Sequence, residues 1–290
     1  MLRTATASLL ALLGLSAEAR VLHTEKSLYR NITVLEENGE RCMRFGRVAS
    51  SRQTCLRLTQ PDQLVFDYTR MMLGALYLQP QPRDILVVGL GGGTLPMTLR
   101  KLYPQARIDT VEIDPAVTRI ASRFFGFQPD AAMTVAEEDG RVFVKRQLKQ
   151  GRKYELVMLD AFDHDYIPEH LLTREFLLEV RGILAPRGVL AANTFSSSKL
   201  YQHESATYAA VFGDFYNLQT RSRVILLRQG GLPARGELEA NAARLEKALP
   251  YYGVSQDWLL PLFKLSARDW PASTRVLTDQ YAPSNLLNAM

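Results

Sequence analysis

An α/β fold, with a mostly parallel, doubly wound sheet and a small β-hairpin module ahead of it, is what the sequence predicts. Three observations carry this. From residue 84 onward, short apolar runs alternate with amphipathic stretches of helical period, the pattern of a parallel sheet covered by helices on both faces. One junction, "ILVVGLGGGTL", runs from a strand through glycines into a helix. Upstream, "LYRNITVLEENGERCMRFG" alternates about an Asn-Gly pair, a hairpin signal.

The 290 residues allow one large domain, or one domain with a small appendage. With 47% hydrophobic and 22% charged residues, the chain is neither disordered nor membrane-spanning in composition. A net charge of +5 invites an anionic partner. Yet Arg41, Arg44, Arg47, Arg52 and Arg57 recur at strand-like spacings without forming a block. They read as a solvated face, and no nucleic-acid-binding motif accompanies them. Cys42 and Cys55 are the two cysteines and form no CxxC, so neither a disulfide framework nor a zinc site is indicated. One bond between them is possible but not required.

Taken in order, the first nineteen residues contain Arg3, an apolar run from Ala5 to Leu15 and the small-x-small Ala17-Glu18-Ala19. That is the form of a signal peptide, too short to span a bilayer; an N-terminal helix or an upstream start is the alternative. Residues 20–82 follow as the hairpin module plus a helix. A weaker strand passes through Leu56 and Leu58, and Pro61 opens a helix carrying Leu64, Val65, Tyr68, Met71 and Met72. The linker "LQPQPRD" leads into the ligand-binding domain, residues 83–290. Strands are predicted over Ile85–Val88, Ile108–Ile113, Met133–Ala136, Glu155–Leu159 and Gly188–Asn193. Helices are predicted over Leu95–Leu102, Pro115–Phe125, Arg141–Leu148, Arg174–Leu184 and Lys199–Phe212. "NLQTRSRVILLRQ" reads as one or two further strands forming an antiparallel edge, and Gly236–Leu249 as another amphipathic helix.

In such sheets the ligand sits beyond the carboxyl ends of the strands. Gly89, Gly91, Gly92 and Gly93 would let it touch bare main chain, and Pro96 tolerates its missing N–H near the helix start. Glu112 ends the second strand, where a carboxylate can accept both hydroxyls of a ribose. The plain alternative is a tight turn and a surface acid. Asp114-Pro115 starts the next helix, and Asp139-Gly140 follows the third strand, suited to the exocyclic amine of adenine. "ELVMLDAFDHDYIP" ends the fourth strand in carboxylates. An acid after each of three strands suits a neutral nucleoside joined to a sulfonium better than a pyrophosphate.

Together, "ILVVGLGGGTL", "VEIDP", "EDGRVF", "LVMLDAFD", "LLTREFLLEVRGILAPRGVLAAN" and "LTDQYAP" resemble, in order, the spermidine synthase (polyamine aminopropyltransferase) family. The resemblance implies a class I methyltransferase-like (Rossmann-like) sheet and includes the preceding hairpin module. It also implies decarboxylated S-adenosylmethionine as co-substrate, with ordinary S-adenosylmethionine as the alternative, a small-molecule amine acceptor, no metal, no nucleic-acid partner and a homo-oligomer (dimer or tetramer). The cofactor-binding candidates are Gly89, Gly91, Gly93, Glu112, Asp139 and Gly140. Asp160 is the candidate catalytic base, with Tyr68, Asp163 and Asp165 on the amine substrate. Because adenosyl-sulfonium donors are made in the cytoplasm, the resemblance points there despite the signal-like N-terminus.

The departures are informative. Gly92 stands where the family has an Asp that helps hold the aminopropyl amine. The family's Tyr-His-Glu is Tyr68-Thr69-Arg70 here, and its Asp-Ser-Ser/Thr-Asp-Pro is Asp160-Ala161-Phe162-Asp163-His164. They match a spermidine synthase-like branch whose acceptor is open. A rival reading gives Asp160, Asp163 and Asp165 to Mg²⁺ in a metal-dependent methyltransferase. A third is an inactive binding homologue.

Overall fold

The computed structural model describes residues 19–46, 52–161, 167–194, 196 and 199–283. The signal-like stretch up to residue 18 therefore lies outside the described residues, as do Asp163 and Asp165. Among the described residues the chain forms two sheets.

The first takes β1 (Arg20–Lys26), β2 (Asn31–Glu37), β3 (Glu40–Phe45) and β4 (Arg52–Arg57), each antiparallel to the next. The predicted hairpin is β2–β3, turning on Asn38-Gly39 with both residues at positive φ, as a tight two-residue turn requires. β1 was not expected. It is an edge strand with a largely exposed, irregular burial pattern, so it lacks the alternation that reveals a half-buried strand. The weaker strand is β4. Its Cys55 lies opposite Cys42 of β3, and the two are joined in a disulfide across a Cα–Cα distance of 4.1 Å. Sequence spacing gave no hint of this pair; strand register makes it.

Between the sheets the predicted helix at Pro61 begins later, as α1 (Asp67–Met72), followed by the short α2 (Ala75–Leu78). Phe66 is extended, and the Leu64 N–H donates to the Tyr252 carbonyl at 3.1 Å, so a distant partner holds residues 61–66 out of the helix.

The second sheet takes β5 (Asp84–Val88), β6 (Arg107–Glu112), β7 (Met133–Glu137), β8 (Tyr154–Leu159), β9 (Leu184–Thr194), β10 (Tyr216–Gln219) and β11 (Arg223–Arg228). Its order is β10-β11-β9-β8-β5-β6-β7, with β5 to β9 parallel and β10–β11 forming the expected antiparallel edge. Helices α3 (Thr94–Leu102), α4 (Pro115–Phe124), α5 (Gly140–Lys149), α6 (Arg174–Ile183) and α7 (Lys199–Phe212) alternate with the strands. Helix α8 (Arg235–Leu245) stops short of the predicted Leu249. Ile85, Leu86 and Val87 have no exposed surface, as expected of a strand covered on both faces. Each such side chain contributes roughly 1.5–3 kcal/mol by leaving water.

The small sheet is fastened to the large one over α4. Ile32, Val34, Met43 and Phe45 pack on Ala116, Val117 and Ile120. Ser27 Oγ donates to Asp114 Oδ2 at 2.6 Å, and Arg41 donates to the Phe124 carbonyl at 2.8 Å. One crossover leads from β5 to its neighbour β6, whereas β8, its neighbour on the other side, comes only later in the chain. The carboxyl ends of β5 and β8 thus flank the crevice where the sheet reverses direction.

Candidate functional site

A cavity of about 680 Å³, of ordinary ligand-site size, opens over these strand ends. Gly89, Gly91, Glu112, Asp139, Gly140 and Asp160 line it, with Tyr68 reaching in from α1. Gly93 is at the base of the loop as the N-cap of α3 rather than in the lining. Six of the seven predicted residues on the strand ends therefore converge on one space.

Gly89 explains why β5 and β8 can meet. Its φ is +99°, and a Cβ there would lie 2.3 Å from the Asp160 carbonyl oxygen. The Asp160 N–H in turn donates to the Val88 carbonyl at 2.7 Å. At Gly92 the obstacle is a side chain from the other sheet. A Cβ at 92 would lie 2.6 Å from Thr54 Cγ2 and 2.8 Å from its Oγ1, so β4 fills the space an aspartate would need.

Glu112 accepts the Leu90 N–H at 3.1 Å through one oxygen and the Asp114 N–H at 3.0 Å through the other. Each oxygen keeps a lone pair for a further donor. Burial raises its pKa, while those two N–H groups and Arg30 pull it back. Asp139 caps α5, one oxygen accepting from the Arg141 and Val142 N–H groups at 2.9 and 3.0 Å. Its other oxygen meets His170 Nε2 at 2.7 Å. Burial raises the Asp139 pKa, but these partners outweigh it and hold the carboxyl below its ordinary range.

Asp160 behaves differently. It accepts from Asn193 Nδ2 at 3.0 Å and from the Tyr68 hydroxyl, yet burial dominates and pushes its pKa up to about 7. The same burial, then the Asp160 charge and the hydrogen bond to it, push the Tyr68 phenol well above its ordinary range. A carboxyl half ionised near neutrality, held between two donors, is fit to take and release a proton.

Sequence reading missed Asn193 and Arg30. A polar residue ending an otherwise apolar buried strand was the available signal for Asn193. For Arg30, stacked 4.3 Å over Phe45 and acting on Glu112, no local signal exists, because it arrives from the small sheet. Among the described residues, one grouping has the spacing of metal ligands, Glu40 with Cys42 and Cys55, and the disulfide engages both sulfurs.

The spermine/spermidine synthase domain matches residues 65–228, more than half of the chain and all of the strand ends just described. The chain belongs to the spermine/spermidine synthase family. As a member it is a transferase. It is 45% identical over 276 residues to a polyamine aminopropyltransferase of Vibrio vulnificus, covering 93% of this chain and 92% of that one. Among solved structures, human methyltransferase-like protein 13 in complex with SAH superposes with a TM-score of 0.59 at 28% identity, over 64% of this chain and 93% of that one. The spermidine synthase of Thermotoga maritima gives a TM-score of 0.66 at 19% identity over 85% of each chain, a likeness of fold. The fold is thus methyltransferase-like, with an antiparallel N-terminal sheet beside the parallel-dominated one. No helix among the described residues is long and apolar enough to cross a membrane.

Proposed function

We propose that this family member transfers the aminopropyl group of decarboxylated S-adenosylmethionine to a primary amine. The observation that carries the reading is Asp160, a carboxyl with a pKa of about 7 at the junction of β5 and β8, inside the nucleoside-sized cavity. A free amine titrates near roughly 10 and is mostly protonated at neutral pH. Asp160 would take that proton and aim the nitrogen lone pair at the methylene beside the sulfonium. The new C–N bond forms as the C–S bond breaks. The sulfur keeps the electron pair, and methylthioadenosine leaves neutral. Since the sulfonium departs readily, holding a neutral amine in line is most of the work. Tyr68 and Asn193 fix the carboxyl for it.

On the donor, Glu112 would accept the ribose hydroxyls and the glycine loop would pass under the nucleoside. Asp139 and Gly140 would border the adenine. Asp163 and Asp165 are proposed to face the amine substrate, and the protein is proposed to work without a metal. Residues 83–290 are taken as the catalytic domain and residues 20–82 as its cover.

Asp160→Asn tests the base. Turnover should fall by roughly 10²–10⁴ while nucleoside binding persists, and alkali should restore part of the loss by supplying neutral amine. Restoration by excess Mg²⁺ in place of alkali would favour the metal reading. Near-normal turnover at neutral pH would remove Asp160 from both. Methyl transfer from intact S-adenosylmethionine is the second reading, favoured by the likeness to methyltransferase-like protein 13 and by Gly92.

A further inference from the structure

We infer that His170 is a positioning residue for the donor: it fixes Asp139 as a one-sided acceptor, so that the site takes a 6-aminopurine nucleoside and turns a 6-oxopurine away. This goes beyond the reading that Asp139 borders the adenine, and it rests on that reading. His170 belongs to a single 3₁₀ turn, Glu169–Leu171, between β8 and α6. Its exposed ring lines the cavity over the strand ends and also a neighbouring cavity of about 530 Å³.

Two contacts hold this turn against the start of α5. His170 Nε2 meets Asp139 Oδ2 at 2.7 Å, and Arg141 Nη1 donates to the His170 carbonyl at 3.3 Å. The Arg141 N–H donates in turn to Asp139 Oδ1 at 2.9 Å, which closes a ring of three residues. Arg141 is itself fixed. Its buried guanidinium donates twice to Glu179 at 2.9 Å, and to Asp279 at 2.7 and 2.8 Å. Asp279 is the acid of "LTDQYAP", and the Thr173 hydroxyl at the N-cap of α6 donates to it at 2.7 Å. The late motif thus anchors, through Arg141, the turn that delivers His170.

The chemistry follows from the lone pairs that remain. Asp139 Oδ1 is taken by the two main-chain N–H groups that start α5. Oδ2 has His170 on one lone pair and keeps the other for a ligand. Burial works to raise the Asp139 pKa, but the Val142 N–H and His170 prevail and hold it below its ordinary range. The carboxylate is therefore an acceptor only, aimed in one direction. An exocyclic amine satisfies it. A carbonyl oxygen in the same place would set two acceptors against each other, both desolvated with no proton between them. Without His170 the carboxyl loses the partner that fixes its plane, and it can turn or take up a proton to meet a carbonyl.

The test uses the full chain and two nucleosides that differ only at the base, methylthioadenosine and methylthioinosine, with both dissociation constants measured by calorimetry. Wild type should bind the adenine compound at least about thirtyfold more tightly, the scale of one unmade hydrogen bond at a charged group. His170→Ala, an exposed change that spares the core, should shrink this ratio about tenfold. His170→Gln, whose amide nitrogen can replace Nε2, should restore part of it. Asp139→Asn can still cap α5 and should shrink the ratio too, because its amide can turn a donor to the carbonyl. A ratio unmoved by His170→Ala, even with both affinities reduced alike, would overturn the inference; Asp139 would keep its place beside the adenine if Asp139→Asn still narrowed the ratio. No discrimination by wild type, or none lost in Asp139→Asn, would overturn the reading beneath it as well.

Discussion

Replacing Asp160 by asparagine should make the protein more stable as it makes it less active. The folded chain holds this carboxyl at about 7, against an ordinary 3.8. Because the folded pKa is raised, the native state binds the proton more tightly than the unfolded state. Stability therefore falls as pH rises from 3.8 toward about 7, and the full cost is present above that. About 3 units at 1.36 kcal/mol each amount to about 4 kcal/mol, and partial contact with cavity water reduces the expected figure to about 2 kcal/mol. Asn carries no charge at any of these pH values and keeps an oxygen for Asn193. Urea unfolding of wild type and Asp160→Asn between pH 4 and 8.5 reads the difference directly. The two should be nearly equal at pH 4, diverge through neutrality and differ by a constant amount above pH 8. A mutant no more stable at pH 8.5, or a pH-independent difference, would refute the raised pKa and with it the case for a base poised at neutrality.

Glu112→Ala should weaken methylthioadenosine binding at least tenfold, since charge-assisted hydrogen bonds contribute roughly 1.5–3 kcal/mol each; unchanged calorimetric affinity in a folded mutant would take the ribose away from Glu112. Gly92→Asp alone should destabilise by about 1–3 kcal/mol through overpacking on Thr54, and Thr54→Ala should relieve part of it; strictly additive unfolding energies would show that the two sites do not press on each other. Cys42→Ser with Cys55→Ser should cost about 2–3 kcal/mol in unfolding free energy relative to the oxidised protein, the scale for a loop of that length, and no loss would mean the strands hold register unaided. If the protein works where its donor is made, alkylation inside cells should find both thiols free and intact mass should retain residues before Arg20. A bonded pair on a chain beginning at Arg20 would place it in an oxidising compartment instead.

What was legible in the sequence had a local cause. The passage from β5 through the glycines to α3 and β6 is written in apolar runs, missing Cβ atoms and an acid at a strand end, so its elements and the cavity they border follow from short windows. Asp139 was legible as an acid after the third strand, while its role as the cap of α5 shows in the structure. The features that stayed hidden depend on distant partners. The Leu64–Tyr252 bond delays α1, the β3–β4 register joins Cys42 to Cys55, and the end of β9 delivers Asn193 to Asp160. Gly92 lies between the two cases. Its identity was plain, but the Thr54 that fills its space comes from a different sheet.

The central claim is the group transferred, and the leaving nucleoside reports it. Purified protein is incubated separately with decarboxylated and with intact S-adenosylmethionine, in the presence of putrescine, with and without EDTA. The nucleoside products are then identified by mass. Aminopropyl transfer is expected to release methylthioadenosine from the decarboxylated donor, in step with an acceptor product heavier by one aminopropyl group and undiminished by EDTA. S-adenosylhomocysteine formed from the intact donor, with no methylthioadenosine from the decarboxylated one, would contradict it.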